Sequence, residues 1–222
     1  MVKISVLGGS KGCSRAMVVQ GLEEGKHDFK LLIRNPDHME YTEEQKAKLS
    51  IIRGDALDEK AVKETIQGTD VVVYSIGSVV DLKSGKMVSP GLCHDTMTVL
   101  IRVLDHLDEN ERPKRLVVVS TTGLDGMKEV PYLFRPLYYF LLHEPHQDKQ
   151  RLEDLVEHKN KSIHDWIIVR PSLLTNGKLV GDYKANVGIS GYTISRQDVG
   201  HFLINHCIEP TTWLKKKVVV TY

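Results

Sequence analysis

The residues with most chemical potential sit between an apolar run, Ile4-Ser-Val-Leu7, and an amphipathic one: Gly8-Gly-Ser-Lys-Gly12-Cys-Ser14. Backbone N–H groups at such a strand-to-helix turn converge on a phosphate, and the helix dipole assists, provided no side chain blocks the approach. The pattern reads as Gly8-x-x-x-Gly12-x-Ser14 or as Gly9-x-x-Gly12-x-x-Arg15. In both, the last glycine of a dinucleotide loop, which lets helix pack on strand, is replaced. Serine is small enough for that gap and arginine is not, so the first reading is favoured.

Further along, Lys30-Leu-Leu-Ile-Arg34 ends a second apolar run in a cation, where an acid would hold the ribose 2′-hydroxyl of NAD. Arg34, with Lys11 and Arg15, suits the 2′-phosphate of NADP instead. Asp55, in Gly54-Asp-Ala56, can accept from an adenine amino group. Ser75-Ile-Gly77, after a fourth apolar run, leaves room for the backbone to pass a ribose. Loop Gly and Asp are ordinary turn residues, so the weight lies in their order along the chain.

These groups need a scaffold. The 222 residues fit one domain with a sizeable core, and a net charge of +1 argues against a nucleic-acid or anionic-membrane binder. Three cysteines far apart suggest a reducing compartment without a disulfide framework. His143-Glu-Pro-His146 lacks the i, i+4 spacing of a zinc pair, and no metal is expected. No leader and no membrane span are read, which makes the expected location cytoplasmic.

Strands are expected at Val2–Leu7, Phe29–Ile33, Leu49–Ile52, Val71–Ser75, Arg115–Ser120, Trp166–Val169 and Val218–Val220. Helices are expected at Ser14–Glu24, Thr42–Gln45, Asp58–Gln67, Pro90–Leu107, Asp148–Lys159 and Asp198–Ile208. Such alternation implies right-handed crossovers and an α/β, doubly wound parallel sheet, a Rossmann fold in a single domain (1–222), with its ligand at the carboxyl ends of the strands.

Together "VLGGSKGCSRA", "IRGDALDEKAV", "VVVYSIGS", "LVVVSTTGL" and "WIIVRPSLLTNG" resemble the atypical short-chain dehydrogenase/reductases of the NmrA-like, NAD(P)H-binding group, which includes flavin reductase/biliverdin reductase B enzymes. "PLYYFLLHEPHQDK" (Pro136–Lys149) and "YTISRQDVGHF" (Tyr192–Phe202) are closest to segments of fungal members. The resemblance spans nearly the whole chain. It implies NADP(H) binding, with either reductase activity or redox sensing through a partner protein. It places Gly8, Ser10, Lys11, Gly12, Cys13 and Ser14 on diphosphate and ribose, and Arg34 on the 2′-phosphate. Asp55 and Ala56 fall on the adenine, Ser75, Ile76 and Gly77 on the ribose, and Arg170-Pro171-Ser172-Leu173 beside the nicotinamide.

Carbonyl-reducing members use a Ser/Thr with a Tyr and Lys spaced YxxxK, the lysine lowering the phenol's pKa. Ser120-Thr121-Thr122 can supply the hydroxyl, with Thr122 nearest in position, and Lys149 stands where the lysine is expected, but Pro145 occupies the tyrosine's place. His146 is either a proton donor or a helix cap, and Tyr138 or Tyr139 can reach the site if its segment folds back. Hydride transfer to a flavin- or quinone-like ring needs no protein acid, and the aromatic stretch Tyr132–Leu142 suits a flat acceptor or else a core or subunit contact. The expectation is an NADP(H)-dependent oxidoreductase for a small-molecule substrate, with a pocket from about 121–205, working as monomer or homodimer. A non-catalytic sensor and a non-redox scaffold are the alternatives.

Overall fold

The computed structural model describes residues 1–78, 87–136, 138 and 143–222. Eight strands form one sheet in the order β3-β2-β1-β4-β5-β6-β10-β8. These are β1 (Val2–Leu7), β2 (His27–Ile33), β3 (Leu49–Arg53), β4 (Val71–Tyr74), β5 (Arg115–Val119), β6 (Asp165–Pro171), β8 (Lys184–Asn186) and β10 (Lys216–Thr221). All pairs are parallel except β8 on β10. A separate two-stranded ladder joins β7 (Leu173–Thr175) to β9 (Thr193–Ser195).

Side chains alternate between the two faces, as a strand's period of two requires. Val71, Val73, Val117 and Ile167 join Ile4, Met17, Phe29 and Phe202 in one core. Val72, Tyr74, Val118 and Ile168 join Met97, Leu100, Leu152 and Val156 in the other. The first core is closed by α1 (Gly12–Glu24) and α6 (Arg196–Phe202), which continues as one π-turn over Leu203–Cys207. Helices α3 (Glu59–Ile66), α4 (Leu92–His106) and α5 (His143–His158) cover the second, and the short α2 (Glu43–Ala47) precedes β3. Burial on both faces explains why β4 and β5 read as unbroken apolar runs.

The doubly wound α/β fold is as expected, with local differences. Helix α5 already includes His143 rather than starting at Asp148, so Pro145 and His146 lie inside it and His146 is not a cap. A proline is tolerated where the helix has no N–H to satisfy, so it marks this region poorly as a boundary. Strands β7, β8 and β9 carry three residues each, too few to show a periodicity. The chain leaves β1 for β2 and β3, then returns to β4 on the other side, which opens a crevice at the carboxyl ends of β1 and β4.

Candidate functional site

A cleft of about 550 Å³ occupies that crevice, within the range of small-molecule sites. Its floor is backbone. Ser75 N–H donates to the Leu7 carbonyl at 2.8 Å, which brings the ends of β1 and β4 side by side. Gly8 turns there with φ +93°, and a Cβ on it would stand 2.6 Å from the Ser75 carbonyl oxygen. Gly12 opens α1 with φ +75°, and a Cβ there would meet nothing within 4 Å. Both positions need the left-handed backbone that glycine adopts freely.

Ser14, in place of the missing glycine, is fully buried, and its Oγ donates to the Gly8 carbonyl at 2.7 Å. It secures the loop from within and does not line the cleft. Tyr41, unnoticed in the sequence, does the same from outside, donating to the Gly9 carbonyl at 2.6 Å. Gly8, Ser10, Lys11, Gly12 and Cys13 all line the cleft. The Cys13 thiol is pushed up to about 12 by burial, which outweighs nearby Arg196 and Lys149, so it stays protonated and unreactive at neutral pH.

At the β2–β3 end the cleft is lined by Arg34, Asn35, His38, Glu40, Asp55 and Ala56. Arg34 Nη1 lies 3.8 Å from Asp55 Oδ2, with its side chain 70% exposed. Asp55 Oδ1 accepts from Leu57 N–H at 2.9 Å. Of the three cations expected here, Lys11 and Arg34 line the cleft. Arg15 instead donates through Nε to the Glu40 carbonyl at 2.6 Å and lies over the Tyr41 ring.

At the β5 end stand Ser75, Ile76, Gly77, Val119, Ser120, Lys149, Leu174 and Arg196. Lys149, carried on α5, donates from Nζ to the carbonyls of Ile76 at 2.8 Å and Val119 at 2.9 Å. It thereby ties α5 to the ends of β4 and β5 and keeps one N–H for a ligand. Ser120 Oγ is buried at the wall with no hydrogen-bond partner among the described residues. Thr122 lies deeper, its Oγ1 3.3 Å from the Tyr138 hydroxyl, and the His146 ring sits 5.4 Å from the Tyr138 ring. Thr122, Tyr138 and His146 are packed together but are absent from the described lining, as are Pro171 and Leu173. Tyr139 and much of the aromatic stretch lie outside the described residues.

Arg170, expected beside the ligand, is 1% exposed and points into a buried ion cluster. It donates to Glu153 at 3.0 and 2.5 Å, to Glu129 at 2.8 Å and to Asp125 at 2.6 Å. Burial raises the Glu129 carboxyl, while the hydrogen bond from Arg170 lowers that of Asp125. The cluster joins the 125–129 loop to β6 and α5.

The NAD(P)H-binding family profile matches residues 8–210. The chain belongs to the NAD(P)H-binding family. It is 31% identical over 204 residues to a reductase, pytE, of Aspergillus terreus, spanning 78% of each chain. Its fold matches a short-chain dehydrogenase/reductase of Veillonella parvula DSM 2008 in complex with NADP, with a TM-score of 0.75 at 17% identity over 100% of this chain and 94% of that one. It also matches ChuY, an anaerobillin reductase of Escherichia coli O157:H7, with a TM-score of 0.71 at 16% identity over 99% and 96%. The residues present suit a dinucleotide: Gly8, Gly12, Gly54 and Gly77 all line the cleft, and at Gly12 and Gly77 a Cβ would meet only open space, so backbone is exposed there. Among the described residues no helix is long and apolar enough to cross a membrane.

Proposed function

We propose that the protein is an NADP(H)-dependent oxidoreductase of the atypical short-chain dehydrogenase/reductase type, reducing a planar small-molecule acceptor such as a flavin-, quinone- or carbonyl-like ring. The observation that carries this reading is Lys149. It is held between two strand-end carbonyls, in an NAD(P)H-binding cleft with no tyrosine among its described lining residues.

When bound, the cofactor supplies the hydride. Gly8, Ser10, Lys11, Gly12 and Cys13 hold its diphosphate, with Ser14 acting through the loop. Arg34 and Lys11 meet the 2′-phosphate, Asp55 and Ala56 the adenine, and Ser75, Ile76 and Gly77 the ribose. Lys149 positions the ribose and acceptor through its remaining N–H. Thr122 and His146 support Tyr138 from behind rather than meeting a ligand, and Pro171 and Leu173 carry the chain to Leu174 at the cleft wall. A delocalised ring takes up the charge and water delivers the proton, so the chain's contribution is alignment and water exclusion. Residues 121–205 form the acceptor side, through Lys149, Leu174 and Arg196.

NADPH oxidation measured against FMN, riboflavin, quinones and carbonyls tests this reading. Turnover with a planar ring is the expected result. Tight NADPH binding with no turnover on any class contradicts it, and points to a sensor that binds reduced and oxidised cofactor unequally.

A further inference from the structure

The charges of the cleft are unevenly placed. Both carboxylates in its described lining, Glu40 and Asp55, sit at the β2–β3 end. At the β5 end stand two cations, Lys149 and Arg196, with no carboxylate among the described lining residues. Lys149 is largely committed to the Ile76 and Val119 carbonyls. Arg196 is not.

Its Nη1 donates to Asn176 Oδ1 at 2.7 Å and lies 3.5 Å from the Leu174 carbonyl. These bonds fix the direction of the guanidinium and leave Nε and Nη2 without a protein acceptor among the described residues. The nearest carboxylate in sequence, Asp198, is fully buried and already accepts from Ser195 Oγ, the Tyr222 hydroxyl and the Val180 and Gly181 N–H groups. The same contacts anchor the start of α6, so Arg196 projects from a rigid base. A half-buried guanidinium, oriented but uncompensated at the wall of a cleft, is the usual arrangement for a bidentate oxyanion contact.

We propose that Arg196 holds an anionic oxygen, phosphate or carboxylate, of the molecule at the β5 end of the cleft, and so selects acceptors that carry an acidic arm. The acceptor half of this statement rests on the oxidoreductase reading above. The cofactor's own phosphate is the other source of the same chemistry.

Arg196→Gln keeps a polar side chain at a half-buried position and separates the two sources. FMN and riboflavin share one ring and differ by a phosphate, so each is titrated by equilibrium binding and used as acceptor, alongside direct NADPH binding. The expected result is FMN binding and KM weakened about tenfold, the worth of one charge-assisted hydrogen bond, with riboflavin and NADPH changed less than about twofold. Weakened NADPH with FMN and riboflavin affected alike assigns the anion to the cofactor and keeps the role of Arg196. Unchanged binding of all three overturns the proposal. If the wild-type protein turns over no acceptor, the oxidoreductase reading falls, while the binding arms still decide the role of Arg196. Arg196→Lys should restore part of the lost affinity, as a point charge without the fork.

Discussion

The two long sides of the cleft are built by different means. On the β1–β4 side the shape is set by backbone: Gly8 and Gly12 in left-handed conformations, with Ser14 and Tyr41 bonding the loop carbonyls. Around β5, β6 and α5 the structure is held by side chains from distant parts of the chain, of which Lys149 lines the cleft while Thr122, Tyr138 and Arg170 do not. Lys149 bridges two strands, Thr122 meets Tyr138, and Arg170 gathers Asp125, Glu129 and Glu153. The first wall depends on the absence of side chains and the second on their convergence. Substitutions should therefore fail differently, the first through shape and the second through uncompensated charge.

The largest effect is expected at Arg170. Arg170→Ala leaves Glu153, itself fully buried, with Lys217 at 3.5 Å as its remaining cation, and breaking a buried pair costs up to about 3–5 kcal/mol. The denaturation midpoint should fall steeply while the folded fraction keeps its NADPH affinity, because Arg170 does not line the cleft. A loss of affinity at unchanged stability would erase the distinction between the walls.

Gly8→Ala comes next. The new Cβ would crowd the Ser75 carbonyl in a backbone conformation that alanine resists, at a cost of about 1–3 kcal/mol. NADPH affinity should fall with stability, since fold and site share this turn. At Gly12 the Cβ has open space, so Gly12→Ala should lose less stability and retain the loss of cofactor binding. Equal stability losses at both positions would argue against the close approach at Gly8.

Lys149→Ala should lower turnover or NADPH affinity about tenfold, on the scale of one charge-assisted hydrogen bond. Unchanged kinetics would reduce Lys149 to a strut between α5 and the sheet.

The smallest effect lies in the pH dependence of the ion cluster. Asp125 has its folded pKa below the ordinary 3.8, so its contribution is present above that value and is lost as pH falls through the folded pKa. Glu129 has its folded pKa above the ordinary 4.5, so ionising it opposes folding, and stability rises as pH falls through its folded pKa towards 4.5. Glu129→Gln should flatten the stability profile above pH 4.5 and leave the acid limb intact. An unchanged profile would show that Glu129 ionises freely.

The same contrast explains what the sequence revealed. Strand–helix alternation, the loop glycines and Arg34 after β2 were legible because each is a local pattern tied to a local conformation. The serine at position 14 was read as tolerable. The structure adds a reason, since its hydroxyl bonds the loop that a glycine would only have accommodated. Pro145 was legible as a gap, and among the described residues Tyr138, whose hydroxyl lies 3.3 Å from Thr122 Oγ1, does not line the cleft. Tyr41, Leu174 and Arg196 were not singled out, and Ser120 stood only as an alternative to Thr122 for the hydroxyl. Tyr41 and Arg196 reach their places only through the packing of separate elements. Ser120 differs from Thr122 only in which residue past the end of β5 meets the cleft. A single signal was available for Arg196, its place in the "YTISRQDVGHF" segment.

The central claim is that the cleft is built for NADP(H), with Arg34 reading the 2′-phosphate. The most direct measurement is the dissociation constant of NADPH and of NADH for the wild-type protein and for Arg34→Ala. The account predicts tighter NADPH binding in the wild type, weakened by about 1.5–3 kcal/mol in the variant, with NADH nearly unchanged. Equal wild-type affinities, or an equal loss for both cofactors, would contradict it.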